Sequence, residues 1–249
     1  MRKFALIGEH LPHSFSGKYF AEKFSKEGIS DCEYRLQELS KIEEVEERLF
    51  DDKEVVGFNI TIPYKLQIID YLDSLSPEAE IIGAVNCVKI SKDGKRRGYN
   101  TDIMGLRDSM LKFLGGDIPT HALILGTGGA AQSVQYLMAE LGIEYLIVSR
   151  DITKGNITYD DITPEMIAEY RLIINATPLG TYPNVESFPK LPYAYLTPNH
   201  YLYDLVYNPP LTQFLSFGQD RGAKICNGQA MLIGQAEAAW KIWNSDEEE

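Results

Sequence analysis

Cysteine is scarce in this sequence: three residues in 249, Cys32, Cys87 and Cys226. They are odd in number, far apart and form no C-x-x-C pair. That argues against a disulfide framework or a zinc site and fits a reduced cytoplasm. Histidine is scarce too, and His10, His13, His121 and His200 form no ligand-spaced set, so no metal is expected. The first apolar run, Phe4–Ile7, is too short for a signal segment or a membrane span, and no membrane partner is expected. Positive charge is in deficit. Lys and Arg number 24 against 36 Asp and Glu, a net charge of −12, which argues against nucleic acid as a partner. It does not bar an anionic small ligand, because a few local cations and N–H groups decide that. Much of the negative charge lies in Lys41–Glu54 and Asp246–Glu249, both read as solvated surface. There is no internal repeat beyond alternating strand and helix patterns, and no low-complexity segment.

What is present is a strand–glycine–helix stretch. Ala122–Leu125 is all apolar, as expected of a strand buried on both faces of a parallel sheet. Gly126-Thr127-Gly128-Gly129-Ala130-Ala131 follows, and from Ala130 to Leu141 apolar residues recur at helical spacing until Gly142. Gly126 permits the tight turn, Gly128 lets backbone approach a pyrophosphate, and Ala131 is small enough for close helix–strand packing. The helix N-terminus offers N–H groups and a positive dipole end to phosphate. This is the pattern of a Rossmann-type dinucleotide site.

The next strand, Tyr145–Val148, ends at Ser149-Arg150-Asp151. An NAD site usually carries Asp or Glu at this tip to bond the ribose 2′-hydroxyl. Here Ser149 and Arg150 favour a 2′-phosphate, hence NADP. Asp151 argues for NAD, and Lys154 offsets it.

At 249 residues the chain makes one large domain or two of about 100–150 residues. Strands are predicted at Phe4–Ile7, Glu33–Leu36, Val55–Ile60, Ala84–Ile90 and Arg97–Tyr99, the last two joined by a Lys92-Asp-Gly94 turn. Helices are predicted at Lys18–Glu27, Lys41–Phe50, Tyr64–Tyr71 and Ile103–Leu114, the last with Thr101 or Asp102 as N-cap. Later strands fall at Leu172–Ile174, Tyr201–Val206 and Ala223–Cys226, and a final helix at Ala230–Trp243. The Pro-rich stretch Tyr182–Asn199 is predicted to be irregular. The fold class is α/β: an N-terminal α/β substrate domain with a mixed sheet (1–101 and 228–249) and a Rossmann-type NADP-binding domain (102–227), with a cleft between them.

Ser14, Ser16, Asn59, Thr61, Lys65, Asn86 and Asp102 gather polar chemistry just past strand ends in the first half. Hydroxyls, amides, one ammonium and one carboxylate suit a polyhydroxylated, anionic small molecule. Periodicity leaves a plainer reading open for each: helix-start serines, asparagines that satisfy backbone, a surface lysine, an N-capping aspartate.

The motifs His13-Ser-Phe-Ser16, Gly57-Phe-Asn-Ile-Thr-Ile-Pro-Tyr-Lys65, Gly83-Ala-Val-Asn86, Tyr99-Asn-Thr-Asp102, Gly126–Ala131, Asn175-Ala-Thr-Pro, Tyr203-Asp-Leu-Val-Tyr207 and Met231-Leu-Ile-Gly-Gln235 resemble, in order, those of the shikimate dehydrogenase family. The resemblance implies NADPH-dependent reduction of 3-dehydroshikimate to shikimate, toward chorismate and aromatic amino acids. It assigns the substrate carboxylate to Ser14 and Ser16, the ring hydroxyls to Thr61, Asn86, Asp102 and Gln235 with Tyr207 nearby, further substrate binding to Asn59, and acid/base work to Lys65 beside Asp102. It assigns the cofactor to Gly126–Ala131, Ser149, Arg150, Lys154, Leu205 and Gly228. A soluble cytoplasmic monomer or homodimer is implied. The family's usual Asn-Arg-Thr loop is Ser149-Arg150-Asp151 here, and the segment from Asp151 to Arg171 is short, which implies a trimmed helix. A quinate/shikimate dehydrogenase using NAD or NADP is the alternative. Ser16 favours shikimate, since a threonine there accompanies quinate use in such enzymes. A non-enzymatic paralogue is the minor alternative, and it would be expected to lose Lys65 and Asp102.

Overall fold

The computed structural model describes residues 1–11 and 14–245. His13 of the first motif and the acidic run 246–249 lie outside the described residues. The strands are β1 (Arg2–Gly8), β2 (Cys32–Glu38), β3 (Val55–Ile60), β4 (Ser74–Leu75), β5 (Cys87–Ile90), β6 (Arg96–Tyr99), β7 (His121–Leu125), β8 (Glu144–Val148), β9 (Leu172–Asn175), β10 (Tyr201–Asp204) and β11 (Lys224–Cys226). The helices are α1 (Phe15–Glu27), α2 (Pro77–Ile82), α3 (Thr101–Leu114), α4 (Gly129–Glu140), α5 (Pro164–Glu169), α6 (Gln213–Asp220) and α7 (Gln229–Asn244). Two compact units result, Met1–Met104 with Gln235–Glu249, and Gly105–Gly234. The chain passes from one unit to the other within α3 and returns within α7. Among the described residues no helix is long and apolar enough to cross a membrane.

The first unit holds a six-stranded mixed sheet in the order β2-β1-β3-β5-β6-β4. β1 runs parallel to β2 and β3, whereas β5 runs antiparallel to β3 and β6. Alternate residues of β1 serve opposite faces: Ala5 and Ile7 pack with Leu49, Phe58, Ile60 and Ile68, and Phe4 packs with Phe20, Phe24, Ala239 and Trp243. Gly57 is required by the second face. A Cβ there would stand 2.4 Å from Cδ1 of Trp243, whose Nε1 donates to Val88 O at 2.9 Å.

Two predicted helices take other forms. Lys41–Phe50 is a 3-10 turn, Ile42–Glu44, followed by a wide turn, Glu46–Phe50, closed by Asp51 N to Glu46 O at 3.0 Å. Val45, Leu49 and Phe50 are buried along this segment, as the predicted amphipathic helix would have them. Tyr64–Tyr71 opens as turns and becomes a 3-10 helix only at Gln67–Tyr71, and the Tyr64 hydroxyl donates to Leu39 O at 2.6 Å. The predicted strand at Ala84–Ile90 begins only at Cys87, leaving Asn86 just before it. α2 went unpredicted although its ends are marked locally: the Ser76 hydroxyl accepts from Ala79 N, Pro77 opens the first turn, and Gly83 takes φ 70° after the last.

The second unit holds a five-stranded parallel sheet in the order β11-β10-β9-β7-β8, buried through Leu123, Leu125, Ile173 and Leu202. The order reverses at β7, with β8 on one side and β9 on the other. Past β8 the chain loops round to bridge Ile157 parallel to Val148. Ser149 N donates to Ile157 O at 3.0 Å and Asn156 N to Ile147 O at 2.8 Å, and α5 is only six residues long, the trimmed helix expected there. Tyr182–Asn199 is irregular apart from a 3-10 turn at Tyr193–Tyr195.

Candidate active site

Strand direction brings the first-unit residues to one sheet edge. β1, β3 and β6 run the same way and β5 the opposite way. Ser14 past β1, Thr61 and Lys65 past β3, Asn86 before β5 and Asp102 past β6 therefore all emerge on the same side. There Lys65 Nζ meets Asp102 Oδ2 at 2.6 Å, the two side chains 30% and 23% exposed. The backbone of Lys65 is fixed by Val85 N donating to its carbonyl at 2.9 Å.

Asp102 is free to face Lys65 because a neighbour caps the helix. Asn100 Oδ1 accepts from Ile103 N at 3.2 Å, so Asn100, rather than Thr101 or Asp102, is the N-cap of α3. Asn86 Oδ1 in turn accepts from the N and Oγ1 of Thr101 at 2.6 and 3.1 Å. Asn59 Nδ2 donates to Asn86 O at 3.2 Å, and Tyr34 Oη donates to Asn59 Oδ1 at 2.8 Å. Desolvation raises the Tyr34 phenol above its usual range, and a hydrogen bond with the Ser16 side chain opposes that shift. Tyr34 stands on β2. Sequence reasoning missed it, because only the β2-β1-β3 order puts it on the same face as Asn59. Ser14 caps α1, its Oγ accepting from Gly17 N at 3.4 Å, so the helix-start reading holds for that serine. Thr61 is half-buried and extends the β1–β3 ladder through its N to Ile7 O at 2.9 Å. Gln235 is buried in α7. A groove of about 910 Å³ elsewhere in this unit, lined by Lys89, Arg96, Arg97, Tyr99 and Trp243, contains none of these residues.

The second unit gathers its candidates at the carboxyl ends of its strands. Gly126 has φ 110°, and a Cβ there would lie 2.9 Å from Thr177 Cγ2, so the residue must be glycine where the loop after β9 crosses it. A Cβ at Gly128 or Gly129 would meet nothing within 4 Å, which leaves open space over the turn that starts α4. Thr127 and Ala130 flank these glycines, and Ala131 is fully buried, as its packing role demands. An open cradle of backbone at a helix N-terminus, at the point where strand order reverses, fits a dinucleotide pyrophosphate.

At the tip of β8, buried Ser149 accepts from Asp151 N at 3.1 Å. Asp151 Oδ1 accepts from Thr153 Oγ1 at 2.7 Å and from Thr153 N at 3.0 Å. The Thr153 hydroxyl is the chief cause that holds this carboxyl below its usual range. Asp151 is thus engaged by its own turn, with Lys154 Nζ at 3.9 Å. Arg150 is exposed, and among the described residues nothing hydrogen-bonds or pairs with its guanidinium. Gly228 lies against Leu205, where a Cβ would stand 2.2 Å from Leu205 O. Tyr207 is exposed in the loop after β10.

The family model for the shikimate dehydrogenase substrate binding domain matches residues 6–88. An NADP(+) shikimate dehydrogenase of Caldicellulosiruptor saccharolyticus is 37% identical, with 98% of this chain and 92% of the relative covered. The chain belongs to the shikimate dehydrogenase family. A second relative within the shikimate dehydrogenases, from Methanocaldococcus jannaschii, is 33% identical over 97% of this chain and 91% of its own. Among solved structures, the Thermus thermophilus shikimate 5-dehydrogenase in complex with NADP(H) and shikimate superposes with TM-score 0.81 at 31% identity, covering 98% of this chain and 94% of that one. The Listeria monocytogenes shikimate 5-dehydrogenase, in complex with shikimate and NAD, gives TM-score 0.86 at 30% identity, covering 99% and 92%.

Proposed function

We propose that this chain catalyses the reversible NADP-dependent reduction of 3-dehydroshikimate to shikimate, with the first unit binding the substrate and the second the dinucleotide. The observation that carries the reading is the Lys65–Asp102 contact at 2.6 Å, on the sheet edge where Ser14, Thr61 and Asn86 also emerge. When bound, NADPH supplies the hydride for the ring ketone. The Lys65 ammonium stabilises the charge that develops on the ketone oxygen and delivers the proton to it. Asp102 holds that ammonium in place and shares hydrogen bonds with the reacting hydroxyl. Ser14 and Ser16 take the substrate carboxylate. Asn59, Thr61, Asn86 and Gln235 orient the ring hydroxyls, and Tyr207 adds a phenol.

On the cofactor side, Gly126, Thr127, Gly128, Gly129, Ala130 and Ala131 cradle the pyrophosphate, and Leu205 and Gly228 help to hold the cofactor. Ser149, Arg150 and Lys154 receive the 2′-phosphate. With the Asp151 carboxylate bonded into its own turn, and the Arg150 guanidinium unengaged among the described residues, that guanidinium is left for the phosphate, which favours NADP. The runner-up is a quinate/shikimate dehydrogenase that also uses NAD. The deciding experiment is the initial rate of shikimate oxidation with NADP and with NAD at equal concentration, with quinate as control. Dominance of NADP with shikimate is expected. Equal rates with NAD, or quinate turnover near that of shikimate, would give the runner-up the better claim. The protein is read as acting in the cytoplasm as a monomer or homodimer, in keeping with its free cysteines.

A further inference from the structure

Asp204 ends β10 fully buried, yet it belongs to none of the groups assigned above. A buried carboxylate is costly unless donors surround it, and here three do. Its Oδ1 accepts from Asn175 Nδ2 at 2.9 Å and Val206 N at 3.0 Å, and its Oδ2 accepts from Thr212 Oγ1 at 2.6 Å. The donors come from three places: the end of β9, the loop leaving β10, and the N-cap of α6.

Two of the three bonds, those from Asn175 and Val206, continue toward the cofactor residues. With its Nδ2 on Asp204, Asn175 turns Oδ1 to accept from Thr177 N at 3.1 Å and Thr177 Oγ1 at 2.6 Å. Thr177 is the residue whose methyl crosses Gly126. On the other side, Leu205 N donates to Asn175 O at 3.0 Å and Gly228 N donates to Val206 O at 3.1 Å. One carboxylate thereby ties together the loop that packs on the glycine turn and the Leu205–Gly228 backbone pair.

We propose that Asp204 is a positioning residue for the dinucleotide, holding the loops after β9 and β10 in register with the glycine turn so that cofactor affinity depends on it and substrate affinity does not. The proposal rests on the cofactor reading above. The network lies within the second unit, whereas every substrate-side residue except Tyr207 lies in the first.

The test is NADPH binding by fluorescence titration, with KM for NADP and for shikimate measured at saturating partner. Asp204→Ala leaves Asn175, Val206 and Thr212 without their acceptor, and is expected to weaken NADPH binding by about tenfold or more and raise KM for NADP in parallel. KM for shikimate is expected to stay within about twofold. Asp204→Asn should return most of the affinity, because its amide oxygen still accepts from Asn175 and Val206. If the alanine variant does not fold, Thr212→Val removes a single donor and is expected to weaken NADPH binding by about threefold. Unchanged NADPH affinity in both Asp204→Ala and Thr212→Val, or an equal rise in both KM values, would overturn the positioning role alone. A wild-type chain that binds no dinucleotide would overturn both this role and the reading beneath it.

Discussion

Replacing Lys65 with alanine separates chemistry from stability, and the geometry gives both magnitudes. The Lys65 and Asp102 side chains are 30% and 23% exposed, so their ion pair is that of a partly solvated couple. Such pairs contribute roughly 1 kcal/mol or less, and the loss shifts the melting temperature of a chain of this size by about 2–4 °C at most. Removing a positioned general acid costs about 10²–10⁴ in rate, equivalent to roughly 3–5 kcal/mol of barrier. Substrate affinity is expected to hold within a few-fold, because Asn59 and Asn86 are held by Tyr34 and Thr101, apart from the lysine. Steady-state rates at saturating NADP and shikimate, paired with thermal melts, read both quantities. Near-normal turnover in Lys65→Ala would refute the acid/base role. A turnover loss that tracked a large fall in melting temperature would refute the separation.

Arg150→Ala should raise KM for NADP by about tenfold while leaving KM for NAD nearly unchanged, because only NADP carries the phosphate that a charge-assisted bond would recognise. A parallel rise with both cofactors would count against the 2′-phosphate role. Burial lifts the Asp204 carboxyl from 3.8 to about 6, so between about pH 4 and 6 the native chain holds a proton that the unfolded chain has lost. This group's contribution to stability therefore falls as pH rises through that window, by about 3 kcal/mol in total. Asp204→Asn should remove that slope in urea unfolding compared at pH 4.5 and 7.5, and an identical difference in both proteins would refute the assignment. Gly57→Ala places a methyl against the Trp243 indole and 2.5 Å from Val88 O and should cost about 1–3 kcal/mol in the same assay, whereas a neutral result would mean that both the indole and the β5 backbone give way freely.

Local signals carried far in the second unit. The apolar run ending at Leu125 reads as a strand buried on both faces, and the glycines after it mark a turn into a helix. Gly126 proves to need its freedom at φ 110° against Thr177, a residue far along the chain. The short stretch after Asp151 foretold the trimmed α5. Local reading failed at Glu46–Phe50, which winds as a wider turn than the helix predicted, and where neighbouring polar residues competed for one cap. Asn100, Thr101 and Asp102 are all credible caps by residue type, and the bond from Ile103 N to Asn100 Oδ1 decided among them and left Asp102 for Lys65.

By itself, then, the sequence determined the alternation of strand and helix, the glycine turn with its cationic tip at Arg150, and the residue types from which a polar site is built. These depend on spacings of one to four residues, which the backbone translates directly into turns, faces and caps. Only the tertiary structure decided which polar groups meet. Tyr34 reaches Asn59 because β1 lies between their strands, and Asp204 gathers Asn175 and Thr212 because β9 and β10 pair in register. Strand order and register are set by the burial of whole faces, and no short stretch of chain contains that information.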